Sequence, residues 1–137
     1  MELTVRYLEG VKFEAAVRGH RVICDQPVEN AGMDAGMSPP ELLLASLATC
    51  AGFYAAQYLR TRSLPTAGRE VKVTAEKALQ PARLAAFTIH VEVPEVEARH
   101  RAGLERAVRH CLVHNTLLNP PRIELGITIG TPAPAPA

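Results

Sequence analysis

The feature that most constrains this sequence is one long apolar stretch, LLLASLATCAGFYAAQYLRTR, which begins at residue 42 and ends at Arg62. Ser38 is a typical N-cap, Pro39 suits the first helical position, and Glu41 completes a capping box. The pattern predicts a helix from Pro39 to about Arg62. Its first half is apolar on every side, so such a helix must be buried all round. Because one sheet of a small chain cannot cover it, we expect a second layer or a partner subunit to contribute.

The length and charge balance indicate one globular domain. The chain has 137 residues, of which 47% are hydrophobic, and its 15 basic and 14 acidic side chains leave a net charge of +1. This composition excludes a self-repelling disordered chain, and it offers no basic stripe for nucleic acid. We expect a single domain over residues 1–130 and a flexible Pro/Ala tail over 131–137.

Localisation is predicted from what the sequence lacks. Residues 42–56, the longest nearly uncharged stretch, are too short to span a bilayer, and the N-terminus has no signal-peptide pattern. Three cysteines without a CxxC pair do not suggest a disulfide-stapled secreted domain. We therefore expect a cytoplasmic protein with no membrane or nucleic-acid partner.

Alternating apolar and polar residues predict strands on both sides of the long helix. A second helix, with Leu104, Val108, Cys111 and Leu112 on its apolar face, is predicted over about residues 95–113. A short turn or helix follows at 115–118. The predicted strands cover residues 4–8, 11–17, 21–24, 69–79, 84–93 and 123–129. This order predicts an α+β fold with antiparallel sheets.

Three cysteines are the candidates for chemistry. Cys50 lies in the middle of the long helix, Cys111 near the end of the second helix, and Cys24 on a strand. Most free cysteines are small buried hydrophobic residues, and this structural interpretation applies to all three. A reactive thiolate instead needs a nearby cation or hydrogen-bond donor. A third alternative is a metal site that combines Cys111 with His110 and His114, which are four residues apart.

Two segments together resemble one known family. SPPELLLASLATC, residues 38–50, is similar to the central-helix motif of the OsmC/Ohr proteins, and HCLVHNTLLNPP, residues 110–121, is similar to their second cysteine motif. The ending of the second segment looks more like the OsmC-like subgroup than the organic-hydroperoxide-resistance subgroup. The resemblance implies an OsmC-like fold, in which antiparallel sheets wrap around central helices in an intertwined homodimer.

The resemblance also implies an activity, a thiol-dependent peroxidase in peroxide detoxification under oxidative stress. Cys50 would be the peroxidatic cysteine that becomes a sulfenic acid, and Cys111 the resolving cysteine that forms a disulfide with it. The substrate would be an organic hydroperoxide and the reductant an external dithiol, with no cofactor and no metal. Arg18, with Arg21 as the other candidate, would stabilise the thiolate. Glu41 would hold that arginine, or serve only as a helix cap.

A different function on the same scaffold is also considered. The apolar pocket at the subunit interface could bind a lipid-like ligand without turnover, since fold does not determine function.

Overall fold

The three N-terminal strands form a sheet of their own. The computed structural model describes residues 1–130, so the predicted tail at 131–137 lies outside the described residues. Strands β1 (Thr4–Glu9), β2 (Lys12–Val17) and β3 (His20–Cys24) are joined by short turns into an antiparallel sheet in that order. The sheet confirms the predicted meander, with strand bounds that differ by one residue at most.

Helix α1 (Pro39–Thr61) begins and ends almost where the sequence predicts. The Glu41 carboxylate accepts hydrogen bonds from the backbone N–H of Ser38, at 3.0 Å, and from its hydroxyl, at 2.7 Å. This capping box satisfies a backbone donor that the helix itself leaves unpaired.

The predicted all-round burial of α1 is not met within one chain. Only a narrow stripe, spaced four residues apart, is fully buried; it consists of Leu47, Ala51, Ala55 and Leu59. On other faces Leu43 is 36% exposed and Phe53 is 61% exposed. By length and composition α1 could also cross a membrane. Its buried stripe and its packing against a hairpin and two helices instead make it the core helix of a folded domain.

A long hairpin covers one side of α1. Strands β4 (Glu70–Ala78) and β5 (Arg83–Glu92) pair antiparallel, with Val73 opposite Ile89 and Val71 opposite Val91. The alternation predicted for these segments is confirmed, because their apolar residues share one face while charged residues occupy the other.

The second predicted helix is two helices. After a 3-10 turn at Ala98–His100 come α2 (Arg101–Arg109) and α3 (Leu112–Leu118), so the continuous helix predicted over 95–113 is wrong. The break lies at Cys111, whose ψ of 125° is not helical and whose sulfur caps α3. The short helix predicted at 115–118 is confirmed as part of α3.

The core lies between α1 and α2. Ala55, Leu59 and Leu104 are buried there, and Val91 and Val108 pack against them. Burial of Leu104 and Cys111 agrees with the predicted apolar face, whereas Leu112 is 66% exposed because the helix break turns it outward.

The strand predicted at 123–129 is absent from the described chain. This segment has no regular structure, and its four alternating apolar side chains, Ile123, Leu125, Ile127 and Ile129, are between 75% and 91% exposed. The prediction is wrong for one chain because alternation specifies a half-buried strand only where a neighbouring strand supplies its hydrogen bonds.

The N-terminal sheet also lacks a partner layer. None of β1, β2 and β3 packs extensively on a helix within residues 1–130. One face carries Val5, Tyr7, Phe13 and Val22, which are between 38% and 59% exposed. The chain exposes 10876 Å² in total. A compact monomer of this mass would expose about 7,000 Å². Much apolar surface is therefore left uncovered by the chain itself.

Candidate functional site

Cys50 and Cys111 meet where α1 packs against the break between α2 and α3. Cys111 is completely buried, and Cys50 is half-buried. Burial raises the pKa of the Cys111 thiol, and hydrogen bonding to the Cys50 thiol raises it further. The backbone N–H groups of His114 and Val113 act in the opposite direction. The net effect keeps Cys111 protonated beside a thiol that solvent can reach.

The helix break determines where the Cys111 sulfur points. Cys111 is the N-cap of α3, and its Sγ accepts a hydrogen bond from the backbone N–H of His114 at 3.4 Å. In a continuous helix that N–H would bond to a carbonyl four residues earlier, and the sulfur would have no such donor. The break thus fixes the thiol against α1.

The same break separates the two histidines of the suggested metal site. His110 ends α2 and His114 lies within α3, so their spacing of four residues does not place them on one helical face. Within residues 1–130 no group of three or more His, Cys, Asp or Glu side chains is arranged to hold a metal ion.

Glu41 serves as a helix cap in this structure. Its hydrogen bonds to the side chain and the backbone of Ser38 hold the pKa of its carboxyl below the ordinary value. Glu41 precedes Cys50 by nine residues, or about 13 Å along the helix axis. Within residues 1–130 it forms no ion pair with an arginine.

The two candidate arginines differ in their surroundings. Arg21 donates to the Glu14 carboxylate on the neighbouring strand at 2.7 Å. Arg18 has no carboxylate partner in the described part of the chain, and its φ is +50° in the turn before Gly19. A non-glycine residue with positive φ is uncommon and marks positions worth functional scrutiny. Neither arginine bonds to Cys50 within one chain.

Asp25 is an organising residue that the sequence analysis missed. It is 1% exposed, and its carboxylate accepts hydrogen bonds from the backbone N–H groups of Gln26, at 2.8 Å, Ala35, at 3.0 Å, and Met33, at 3.1 Å. These bonds, led by the one from Ala35, hold the pKa of Asp25 below its ordinary value. The signal in the sequence was an acid at the start of a loop that contains two glycines.

The Asp25 loop joins the N-terminal sheet to α1. The Asp25 N–H also bonds to the Met37 carbonyl at 3.3 Å, one residue before the Ser38 cap. A side chain at Gly32 or Gly36 would collide with the backbone of the loop or of β3, so only glycine fits there. The backbone of Cys24 pairs with that of Met37 in an isolated parallel β-bridge at this junction, and the Cys24 side chain is the third free thiol.

The fold and the paired thiols define a small α+β protein with two facing cysteines. The family model described as OsmC-like protein matches residues 32–126, which is more than half of the chain. The chain therefore belongs to the OsmC-like family, as its motifs predict. The α+β fold is confirmed as well.

Solved structures agree with this assignment. A protein of Psychrobacter arcticus, named for osmotic stress induction and a detoxification response, is 25% identical, with a TM-score of 0.75 over 83% of this chain and 85% of that chain. An OsmC-like protein of Mycoplasma pneumoniae is 21% identical, with a TM-score of 0.73 over 87% of each chain.

A more distant structure carries a functional name. An organic hydroperoxide resistance protein of Elizabethkingia anophelis is 18% identical, with a TM-score of 0.58 over 83% of this chain and 84% of that chain. At this identity the likeness shows the fold alone. No curated protein matches this sequence.

Proposed function

We propose that this chain is a thiol-dependent peroxidase that reduces organic hydroperoxides in the cytoplasm. The observation that carries the proposal is the contact between Cys50, which solvent reaches, and Cys111, which is fully buried. A peroxide meets Cys50 first, and the sulfur needed to resolve the product already lies beside it. Membership of the OsmC-like family supports this assignment.

The first step oxidises Cys50. Its thiolate attacks one oxygen of the hydroperoxide, the O–O bond breaks, and the leaving alkoxide takes up a proton to become an alcohol. The sulfur loses two electrons and becomes a sulfenic acid, while the peroxide is reduced.

The second step forms the disulfide. The Cys111 sulfur attacks the Cys50 sulfur, and the hydroxyl leaves as water with the thiol proton of Cys111. An external dithiol then attacks the disulfide, takes over the oxidation as its own disulfide and returns both cysteines to thiols. Before oxidation, the protonated Cys111 can donate its S–H to the Cys50 thiolate.

A homodimer completes the site in this proposal. The exposed apolar face of the N-terminal sheet and the alternating residues 123–129 need a covering layer, which a second copy supplies. Obligate dimers bury large apolar surfaces of this kind. In this dimer the N-terminal sheet of the partner subunit would lie near Cys50 and carry Arg18 with it. The Arg18 guanidinium has no carboxylate partner within the described residues of its own chain, so its charge would be available to the Cys50 thiolate.

A second function is favoured by a different observation. A groove of about 870 Å³ between β5 and α2 is lined by apolar residues such as Phe87, Val91 and Leu104 and by charged residues such as Glu97 and Arg101. Its size and mixed lining suit a small amphipathic ligand such as a lipid. A lipid-binding protein without turnover would use this groove and would not consume its thiols.

Thiol counting with one equivalent of cumene hydroperoxide separates these functions. We expect two of three thiols to be lost, with a Cys50–Cys111 disulfide in the peptide map and a slower reaction with hydrogen peroxide. An apolar pocket favours the bulkier peroxide by about 0.8 kcal/mol per buried CH₂.

Matched cysteine variants provide the controls. Cys24→Ser should still lose two thiols, Cys111→Ser should stop at the sulfenic acid, and Cys50→Ser should lose none. Retention of all three thiols in the unmodified protein contradicts the peroxidase and favours the lipid-binding protein.

A further inference from the structure

An open groove runs along the seam between α1 and α2, and its volume is about 470 Å³. It shares no lining residue with the larger groove beside β5, and neither Cys50 nor Cys111 lines it. The groove is therefore a site separate from the paired thiols and from the larger groove. Residues about one helical turn apart line it from both sides, and they include Tyr54, Tyr58 and Arg62 of α1 and Gly103, Arg106 and His110 of α2.

This groove is cationic. Arg62 and Arg106 line it from the two helices, and neither arginine has a carboxylate partner within residues 1–130. None of the described residues that line the groove is acidic. Two like charges in one groove repel each other, and an anion bound between them removes that cost. The groove is therefore suited to an anionic ligand.

The Arg62 side chain is held in place on the Tyr58 ring. Its guanidinium carbon lies 3.7 Å from the ring centroid, and its Nη1 donates to the Tyr58 carbonyl at 3.3 Å and to the Thr61 hydroxyl at 3.2 Å. A guanidinium has five N–H groups, and those on Nε and Nη2 make no hydrogen bond within the described residues. Because the side chain is already ordered, these groups can bind an anion at a lower cost in conformational entropy.

The Tyr58 ring that supports Arg62 is itself fixed by α2. A side chain at Gly103, in the interior of α2, would overlap the Tyr58 ring, although glycine is disfavoured in helix interiors. The Tyr58 hydroxyl bonds to His100 Nδ1 at 3.0 Å, and the two rings meet edge to face. Arg106 follows Gly103 by three residues, so it lies about one turn away on the same face of α2. The contact between Tyr58 and Gly103 therefore brings Arg62 to the helix that carries Arg106.

The other end of the groove has an aromatic ring and an amide. Tyr54 precedes Tyr58 by four residues, or about 6 Å along α1. The Phe53 ring meets the Tyr54 ring edge to face, with a centroid distance of 5.2 Å. Gln57 also lines the groove, and its amide can both donate and accept hydrogen bonds. This end therefore offers a stacking surface and a hydrogen-bonding group, which together suit a nucleobase.

We propose that this groove binds a nucleoside monophosphate. Arg62 and Arg106 would hold the phosphate, the base would stack on Tyr54, and the Gln57 amide would bond to the edge of the base. A phosphate monoester has three terminal oxygens and a charge of about −1.5 to −2 at neutral pH, so it balances both guanidinium charges, whereas a carboxylate balances one. The proposal involves neither thiol, and it does not rest on peroxide turnover.

Titration calorimetry on the reduced full chain, without peroxide, tests the proposal. The probes are adenosine monophosphate, adenosine, ribose 5-phosphate and inorganic phosphate. We expect the monophosphate to bind at least about tenfold more tightly than each of the other three, because only this probe can contact both the arginines and Tyr54. Adenosine or inorganic phosphate binding as tightly as the monophosphate would overturn the proposal. The absence of binding, as expected if a second copy covers the groove, would also overturn it.

Arginine variants localise the phosphate. Arg62→Gln and Arg106→Gln should each weaken binding of adenosine monophosphate by about tenfold and leave the weaker binding of adenosine unchanged. Arg60→Gln removes an exposed arginine of the same helical turn that does not line the groove, and it should bind the nucleotide as the unmodified chain does. Unchanged affinity in both groove variants, with their helix content intact by circular dichroism, would contradict the assignment. An equal loss in Arg60→Gln would contradict it as well.

A tyrosine variant localises the base. Tyr54→Leu removes the stacking surface alone, so it should weaken binding of adenosine monophosphate by about tenfold and leave ribose 5-phosphate binding unchanged. Tyr7→Leu alters an exposed tyrosine of the N-terminal sheet, outside the groove, and should leave both affinities unchanged. An equal loss of both ligands in Tyr54→Leu, or no loss of either, would contradict a base stacked on Tyr54.

Discussion

In the helical half of the chain, α1 packs against the β4–β5 hairpin, α2 and α3, whereas the N-terminal strands pack extensively against none of these elements. Both regions have apolar residues at regular spacing. In the helical half, Leu59 and Ala55 are buried almost completely. In the sheet, Tyr7 and Phe13 stack edge to face at 5.6 Å and still remain exposed.

The two regions differ in whether their apolar side chains are buried within one chain. The helical half closes a core within one chain, so the contribution of that core to stability should not depend on protein concentration. The sheet has only one apolar face and cannot bury it alone, because a sheet needs a second layer. Its stability should therefore depend on association with a second copy.

A charge on the apolar face of the sheet should have the largest effect. We expect Phe13→Asp to weaken dimer formation by on the order of a hundredfold or more, because an unpaired carboxylate is costly to bury. Sedimentation of a dilution series measures this shift. Ala16→Asp places the same charge on the other face of β2, and this variant should dissociate far less. Equal dissociation of the two variants would contradict a dimer contact through the apolar face of the sheet.

A cavity in the helical half should be the next largest effect. Leu59→Ala should lower the free energy of unfolding by about 2–5 kcal/mol, since Leu59 is fully buried. Denaturant unfolding at two protein concentrations should give the same loss. Leu43→Ala, on the exposed side of the same helix, should cost less, and its cost should vary with concentration. A concentration-dependent loss for Leu59→Ala would argue against an internal core.

Acid should weaken the junction between the two regions. Because the pKa of Asp25 is lower in the folded chain, the unfolded chain takes up the proton first as pH falls. Stability is present above the ordinary carboxyl pKa and is lost as pH falls below about 4 toward the folded value. We expect Asp25→Asn to lower the melting temperature at neutral pH by on the order of 5 °C. If the melting temperature of this variant falls with pH as steeply as that of the unmodified chain, the acid sensitivity belongs to other carboxyl groups.

Loss of the α1 cap should be the smallest effect. Ser38→Ala removes the hydroxyl that donates to Glu41 and should cost about 1 kcal/mol in the free energy of unfolding. Chemical denaturation measures this loss. Thr49→Ala, which removes an exposed hydroxyl bonded to a carbonyl of the same helix, should be nearly neutral. A loss for Ser38→Ala as large as that for Leu59→Ala would indicate a wider role of the cap.

Local signals in the sequence predicted much of the fold. Ser38, Pro39 and Glu41 predicted the start of α1 because capping depends only on residues within one turn. Alternation predicted β4 and β5 because these strands pair with each other across a short turn. The proximity of Cys50 and Cys111 was implied by family resemblance, since no local pattern relates residues so far apart.

Other features depend on contacts that a single pattern does not contain. The break at Cys111 has no glycine or proline, and a sulfur cap is a weak signal. The segment at 123–129 has the alternation of a strand but no neighbour in its own chain. The role of Asp25 was missed because its three backbone donors come from loop residues up to ten positions away, and no local pattern indicates them.

The Asp25 loop has a consequence for how two copies could meet. A mobile arm would have to be ordered at the moment of association, and that loss of entropy would weaken the complex. Here the buried carboxylate and the closely packed glycines order the connection during folding of each chain. In the proposed homodimer each sheet would therefore be held in a fixed direction before association, and the encounter would require only a rigid fit of one surface to another.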